Sequence, residues 1–228
     1  TGYDCSAIKT TLKLLDNIDD SLLFKPLSIP ELFNFSEYPF KKKWIEKESS
    51  IFSQLSKDDT PLSKKERDSL KTHPDCEKRI ALLEDSIAAI QPPGKNFLVD
   101  EILFQKLKKD FLIEIIEHEF REKNLSRNLY YSLSLLQAGE KVQLAVYSVA
   151  RCLNEIYENQ KNHQLGTTVD TEKRNYNDDY NNLLRMINKL KLDEIANLNY
   201  YFCKSHVAVM NDNKDFLTEA KKAVKLKN

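Results

Sequence analysis

The sequence predicts an all-α protein, and two observations support this. Only 4 glycines and 7 prolines occur among 228 residues, so few positions interrupt regular structure. Between these positions, apolar residues recur at intervals of three and four, the period of an amphipathic helix. No segment shows the convincing alternation of a half-buried strand. A chain of this length can bury a core without disulfides.

The first predicted helix carries Ile8, Leu12 and Leu15 on one face and ends near residues 17–20. A proline-interrupted stretch with several aromatic residues then precedes a charged helix at about 40–55. Two further helices are predicted at 63–70 and at about 72–90.

The segment Pro92-Pro93-Gly94 ends the last of these helices, because neither proline can continue a helix and glycine tolerates the turn. It is the best domain boundary in the sequence. We therefore predict one part at residues 1–92 and a second at residues 95–228.

The second part is predicted to consist of helical hairpins, since its helices are joined by short turns such as Ala138-Gly139. The polar stretch 164–175 is the exception, and we expect this loop to be mobile. The predicted helices span residues 97–123, 126–137, 140–162, 176–190, 193–210 and 213–226.

Several positions in this part are similar to the aromatic, glycine and alanine positions of a tetratricopeptide repeat. They are Tyr130, Tyr131, Leu135, Gly139, Ala145 and Ala150. The glycine-to-alanine spacing is one residue off the usual pattern, and small residues occur at helix crossings in any bundle. A tetratricopeptide-like array and an ordinary helical bundle are therefore both open.

Charge and hydropathy exclude some classes of partner. Lys+Arg and Asp+Glu both number 35, and this balance favours neither a nucleic acid nor an anionic membrane surface. Apolar runs are well short of the roughly 18 residues of a membrane span, so we expect a water-soluble chain with no span. The four cysteines form no C-x-x-C pair and are expected to be core thiols.

His118-Glu119 is the first candidate for a metal site, because H-E-x-x-H on a helix places two ligands and a general base on one face. The motif is incomplete, since residue 122 is Glu and not His. The neighbouring Glu114, Glu117 and Arg121 are typical of a solvated helix face, so a structural role is favoured. His163 and His206 have no partner identifiable by spacing.

The segment Thr72-His73-Pro74-Asp75 is the most informative. It can be read as a helix cap, with Thr72 and Asp75 as a capping pair and Pro74 in the first turn. A cap does not require His73, nor Arg79 six positions later.

These residues, with Ile80 and Leu83, resemble the T-H-P-x-x-x-x-R-I segment of the HtpX and CAAX-prenyl-protease class of gluzincin zinc metallopeptidases. The N-terminal Thr1-Gly2-Tyr3-Asp4, with Ala7-Ile8 and the leucines that follow, is similar to the A-G-Y-D-P-x-A stretch after the third zinc ligand of that family. The order of the two segments is the family's order. The resemblance covers about residues 1–90.

The resemblance implies a zinc ion in the parent protein, held by H-E-x-x-H and a downstream glutamate. All of these positions would precede Thr1, as in a processed or truncated product. His73 would donate a hydrogen bond to the oxyanion of the tetrahedral intermediate, and Arg79 would help to orient the site. This chain alone is expected to hold no metal and to be inactive.

The resemblance also implies partners, namely the missing N-terminal catalytic segment and a peptide or protein bound by the second part. The absence of the catalytic helices is expected to leave Phe33, Phe35, Trp44 or their neighbours more exposed than in an intact domain, so the chain is expected to self-associate. The alternative is a non-catalytic helical scaffold for protein interactions, in which Thr72-Asp75 is only a cap.

Overall fold

The computed structural model describes residues 4–20 (side chains to residue 15), 26–47, 63, 65–66, 69, 76–90, 94–97 and 99–228. These residues are mainly helical and contain no β-strand, which confirms the all-α class. The α-helices are α1 (Ala7–Asp20), α2 (Ile29–Leu32), α3 (Cys76–Ala88), α4 (Glu101–Arg121), α5 (Leu125–Gln137), α6 (Val142–Lys161), α7 (Asp178–Lys189), α8 (Leu192–His206) and α9 (Lys214–Lys227). Short 3₁₀ helices span Lys42–Trp44 and Leu165–Thr167.

The chain forms two compact units, divided differently from the sequence prediction at Pro92-Pro93-Gly94. The first unit contains residues 1–24, 52–112 and 174–177, and the second contains 25–51, 113–173 and 178–228. Residues 25–51 thus belong with the C-terminal helices, where side chains such as Phe33 and Trp44 pack.

In the first unit, α1 packs against α3. Lys9 Nζ lies 2.6 Å from Glu84 Oε1, and the backbone N–H of Asp4 donates to the carbonyl of Lys95 at 3.0 Å. Because the start of α1 lies beside the end of α3, the two helices are antiparallel. Leu12 and Cys76 are buried.

The second unit is organised around α6, which packs against α5, α8 and α9. Gly139, in the turn that joins α5 to α6, has a positive φ of 67°, a conformation that costs glycine no strain. The inward face of α6 alternates small and branched side chains, so that neighbouring helices can approach closely. Its fully buried apolar residues include Ala145, Val146, Val149, Ala150, Cys152, Leu153 and Ile156.

Buried polar side chains connect the helices of this core. Asn199 Nδ2 on α8 donates to Asn154 Oδ1 on α6 at 2.7 Å, and Asn154 Nδ2 donates to Glu219 Oε2 on α9 at 2.8 Å. Asn199 also donates to the carbonyl of Ala150. A buried polar group without a partner costs about 1–3 kcal/mol, so this chain of hydrogen bonds favours one register among α6, α8 and α9.

The polar loop after α6 is hydrogen-bonded to the start of α5 and to α7, and its expected mobility stays a prediction. Leu125 N donates to the carbonyl of Thr168 at 2.8 Å, and Asp170 Oδ2 accepts hydrogen bonds from Arg127 Nε and the Tyr180 hydroxyl, both at 2.8 Å. Burial opposes ionisation of Asp170, but these hydrogen bonds outweigh it and lower the pKa of its carboxyl.

His163, just past the end of α6, has a φ of +57°. Its backbone N–H donates to the carbonyl of Gln160, and that of Gln164 to the carbonyl of Asn159 at 2.7 Å. This is the position after a helix where a left-handed residue is required and glycine is usual.

We expect His163→Gly to raise the free energy of unfolding by about 0.5–1 kcal/mol, because glycine relieves left-handed strain at some cost in chain entropy. Unfolding in guanidinium chloride measures this change in free energy. The matched control is Asn162→Gly, where φ is −90° and glycine should not stabilise. Equal effects of the two substitutions would contradict the explanation by strain.

Candidate functional site

The residues that carry the peptidase resemblance are only partly described. His73 and the rest of segment 72–75 lie outside the described residues. Arg79 lies in the first turn of α3 and is exposed, and its side chain makes no hydrogen bond or ion pair with any described residue. Its expected role in orienting an active site stays a prediction.

The helices that follow the two resembling segments are neighbours. α1 comes directly after the Gly2-Tyr3-Asp4 segment, α3 directly after His73-Pro74-Asp75, and they pack against each other. Outward-facing apolar side chains occur on both, and Leu14 is 52% and Leu82 81% exposed. The pair therefore has apolar surface available for further contacts.

The incomplete His118-Glu119 motif serves contacts between helices. Arg151 of α6 donates to both carboxylate oxygens of Glu117, at 2.9 and 3.3 Å, and its guanidinium lies 3.7 Å from the centre of the Phe120 ring. Glu119 Oε2 accepts a hydrogen bond from Asn124 Nδ2 at 2.8 Å. Within the part of the chain that the structure describes, no group of three or more His, Cys, Asp and Glu residues could hold a metal.

Cys76, Cys152 and Cys203 lie in the interior, as the sequence predicted, and Cys5 is half-buried. Burial raises the pKa of the Cys203 thiol to about 12, and that of Cys152 is raised for the same reason. A thiol in this state is a poor nucleophile.

The two remaining candidate histidines have structural positions. His206 is half-buried at the end of α8, where its Nδ1 donates to the carbonyl of Phe202 at 2.8 Å and burial lowers its pKa. His163 is exposed.

A site of another kind lies in the second unit, where residues 26–47, which we call the arm, cross α7 and α8. Leu27, Ile29, Phe33 and Trp44 are at most 4% exposed. The Phe33 and Phe202 ring centres are 6.1 Å apart, and the Tyr38 ring stacks on Tyr201 of α8 at 5.4 Å. The expectation that the aromatic residues of this region would be exposed was wrong for Phe33 and Trp44, because the C-terminal helices cover them; Phe35 is half-buried.

Glu194 in the first turn of α8 binds the C-terminal part of the arm, which we call its far end. Its Oε1 accepts hydrogen bonds from Lys41 Nζ at 3.0 Å and from Trp44 Nε1 at 3.2 Å, while Oε2 accepts from the backbone N–H of Lys191. Glu194 is 7% exposed. Burial raises its pKa, but the three donors outweigh burial and leave the carboxyl with a lowered pKa.

The N-terminal part of the arm, which we call its near end, is bound through its backbone groups by side chains of the helices. Gln137 at the end of α5 accepts from the N–H of Ser28 at 2.7 Å and donates to the carbonyl of Pro26 at 3.1 Å. Between these two contacts, Asp179 Oδ2 of α7 accepts from the N–H of Leu27 at 2.9 Å. Three backbone groups in succession are thus bound by side chains of the helices.

Two basic residues of α7 bind the backbone at the far end of the arm. Arg185 donates to the carbonyl of Ile45 at 2.7 Å, and Lys189 donates to the carbonyl of Glu46. The guanidinium of Arg185 also pairs with Glu172.

Sequence reasoning missed Gln137, Asp179, Arg185 and Glu194. Acidic residues in the first turn of a helix, such as Asp179 and Glu194, are expected simply because they complement the helix dipole. Nothing local indicates that their partners are more than 100 positions away.

Comparisons with known proteins give no family for this chain. No protein-family model matches it, and no curated protein and no solved structure match it either. Among the described helices, none is both long and apolar enough to cross a membrane.

We expect Glu194→Gln to lower the free energy of unfolding by about 1–2 kcal/mol at pH 7, because the buried charge interacts with Lys41. An unfolded glutamate has a pKa of about 4.3, and the folded value is lower. The stabilisation is therefore complete above pH 4.3 and is lost as the pH falls through the folded pKa. Urea unfolding at pH 7 and pH 3 should show the difference between parent and variant shrinking.

The control is Glu46→Gln, which changes an exposed carboxylate of the same arm. It should alter stability by less than about 0.5 kcal/mol. A Glu194→Gln effect of equal size at both pH values would exclude the charge as its source.

Proposed function

We propose that this chain is the C-terminal part of a zinc-dependent metalloendopeptidase of the HtpX and CAAX-prenyl-protease class, and that its second unit binds a peptide or a protein. The observation that carries the proposal is the pair of resembling segments, which occur in the family's order. The packing of α1 against α3 supports it, because the helices that follow these segments lie side by side.

In the parent enzyme, zinc would polarise the scissile carbonyl and activate a water molecule. We assign to His73 a hydrogen bond to the oxyanion, and to Arg79 the orientation of the site through an acidic group. A neutral imidazole suits the first role, because a helix N-terminus disfavours the cationic form while the N–H can still donate. The exposed Leu14 and Leu82 on α1 and α3 would be covered by the catalytic segment.

For the second unit we propose a tetratricopeptide-like arrangement of hairpins. Ala145 and Ala150 are fully buried, as the small positions of that repeat require, and Gly139 adopts the left-handed conformation in the turn. Helical arrays of this type bind extended peptides across their helices, and α7 and α8 hold the arm in this way.

The second candidate is a non-catalytic scaffold that presents a binding surface. The observation in its favour is the set of contacts by which α5, α7 and α8 bind the arm, because these contacts require no catalytic domain. The two candidates differ in the sequence upstream of Thr1. H-E-x-x-H within about a hundred residues would exclude the scaffold, and an unrelated fold there would exclude the peptidase.

We expect the longest natural form of the protein to hold one zinc and to cleave protein, and His73→Ala to lower kcat about 10²–10³-fold while zinc is retained. Metal analysis and a peptide-cleavage assay measure both. The matched control is His118→Ala, an exposed histidine of α4, which should change neither. Absence of zinc from the long form would leave Thr72-Asp75 as a helix cap.

The 228-residue chain by itself should bind no stoichiometric zinc and cleave no protein, because the proposed ligands lie upstream. The same two assays test this. Zinc-dependent proteolysis by this chain alone would contradict the proposal.

We also expect the chain alone to self-associate. The first three turns of α4 expose apolar side chains, with Ile102 at 83%, Phe111 at 66% and Phe104 at 50%, and exposed apolar surface promotes association. Light scattering should show a mass that rises with concentration. The double substitution Phe104→Lys/Phe111→Lys should reduce this rise, and Lys106→Glu/Lys109→Glu is the control on the same turns. A single monomeric mass at all concentrations would contradict the expectation.

A further inference from the structure

The contacts of the arm are of the kind by which receptors hold bound peptides. The arm forms little regular structure beyond the single turn of α2, a 3₁₀ turn at Lys42–Trp44 and a bridge between Phe35 and Tyr38. Its backbone therefore finds partners elsewhere, and polar side chains of α5 and α7 supply them. A buried backbone group without such a partner would be costly.

The near end combines two modes of recognition. The carboxamide of Gln137 donates to the carbonyl of Pro26 and accepts from the N–H of Ser28, and the carboxylate of Asp179 accepts from the N–H of Leu27. These contacts are made to backbone groups, so they accept any residue with a backbone N–H at positions 27 and 28, that is, any residue except proline. Selectivity comes from the side chains that are buried, Leu27, Ile29 and Phe33, which define a pattern of two aliphatic residues two positions apart and an aromatic residue four positions further on.

The far end adds a requirement for charge. The carboxylate of Glu194 binds both the indole N–H of Trp44 and the amine of Lys41, and Lys41 Nζ lies 5.2 Å from the centres of the Tyr38 and Trp44 rings. A ligand that carries an aromatic donor and a nearby amine satisfies this buried carboxylate. An acidic ligand would leave two carboxylates facing each other.

We propose that the face of α5, α7 and α8 beneath the arm is a peptide-binding site, occupied in cis by residues 26–47. Its ligand in trans is a peptide with two aliphatic anchors, an aromatic anchor one helical turn after the second of them, and a basic aromatic segment. The proposal deepens the peptide-binding part of the function proposed above and rests on it. Because a tethered segment has an effective concentration on the order of millimolar, a free peptide competes poorly until the arm is weakened.

The test uses the full chain and a fluorescent peptide of sequence 26–47. In the chain, Phe33→Ala/Trp44→Ala removes two anchors of the arm and leaves Gln137, Asp179 and Glu194 intact. Fluorescence anisotropy should show at least tenfold tighter peptide binding by this variant than by the unaltered chain. A peptide that carries the same two alanines should not bind, and adding Glu194→Gln to the chain variant should weaken binding several-fold.

Circular dichroism first establishes that the double variant keeps the helical content of the parent chain. A folded variant that does not bind the peptide, or that binds both peptides equally, would overturn the proposal.

If the variant unfolds, hydrogen exchange of the unaltered chain decides. Amides of Leu27 and Ser28 that exchange faster than those of α6 mean that the arm detaches from a folded bundle. Exchange of all these amides only with global unfolding would make the arm an integral part of the core and would overturn the proposal. The zinc content of the long form does not depend on the arm, so failure of this site and failure of the peptidase assignment are distinguishable.

Discussion

Helix α6 imposes the constraint on which the second unit depends, because three other helices pack against it. Its apolar residues alone would permit several registers, since apolar contacts are not directional. Asn154 removes this freedom: its carboxamide is buried and is satisfied only when Asn199 of α8 and Glu219 of α9 are in place. Leaving such a group unpaired costs about 1–3 kcal/mol, a large fraction of the stability of a domain. The polar core thus selects the arrangement that the apolar core stabilises.

The position of α8 determines in turn what the surface can bind. Glu194 and Phe202 lie on the same helix as Asn199, so the register that satisfies the core also presents a carboxylate and an aromatic ring to the arm. The first turns of α4 show the opposite case. Their apolar side chains, including Ile102 and Phe111, are exposed. The site beneath the arm thus combines buried anchor side chains with polar contacts, whereas the first turns of α4 present exposed apolar side chains.

Much of the helical architecture could be predicted from the sequence, because the period of apolar residues is a local property. The helix expected at 126–137 spans Leu125–Gln137, and that expected at 140–162 spans Val142–Lys161. The arm could not be predicted, since its hydrogen bonds join residues more than 100 positions apart and composition alone gave only a proline-rich aromatic stretch. The contacts of the loop after α6 could not be predicted for a related reason: Arg127 and Tyr180, which bind Asp170, are brought beside it only by folding.

The arm lies in sequence between the two segments that resemble the peptidase family, yet its contacts are with the second unit. No residue that holds the arm is a residue to which the proposed function assigns a role in catalysis. The two proposals therefore use separate residues of one chain. Covalent continuity still relates them, because release of the arm would change the constraint on the chain between α1 and α3.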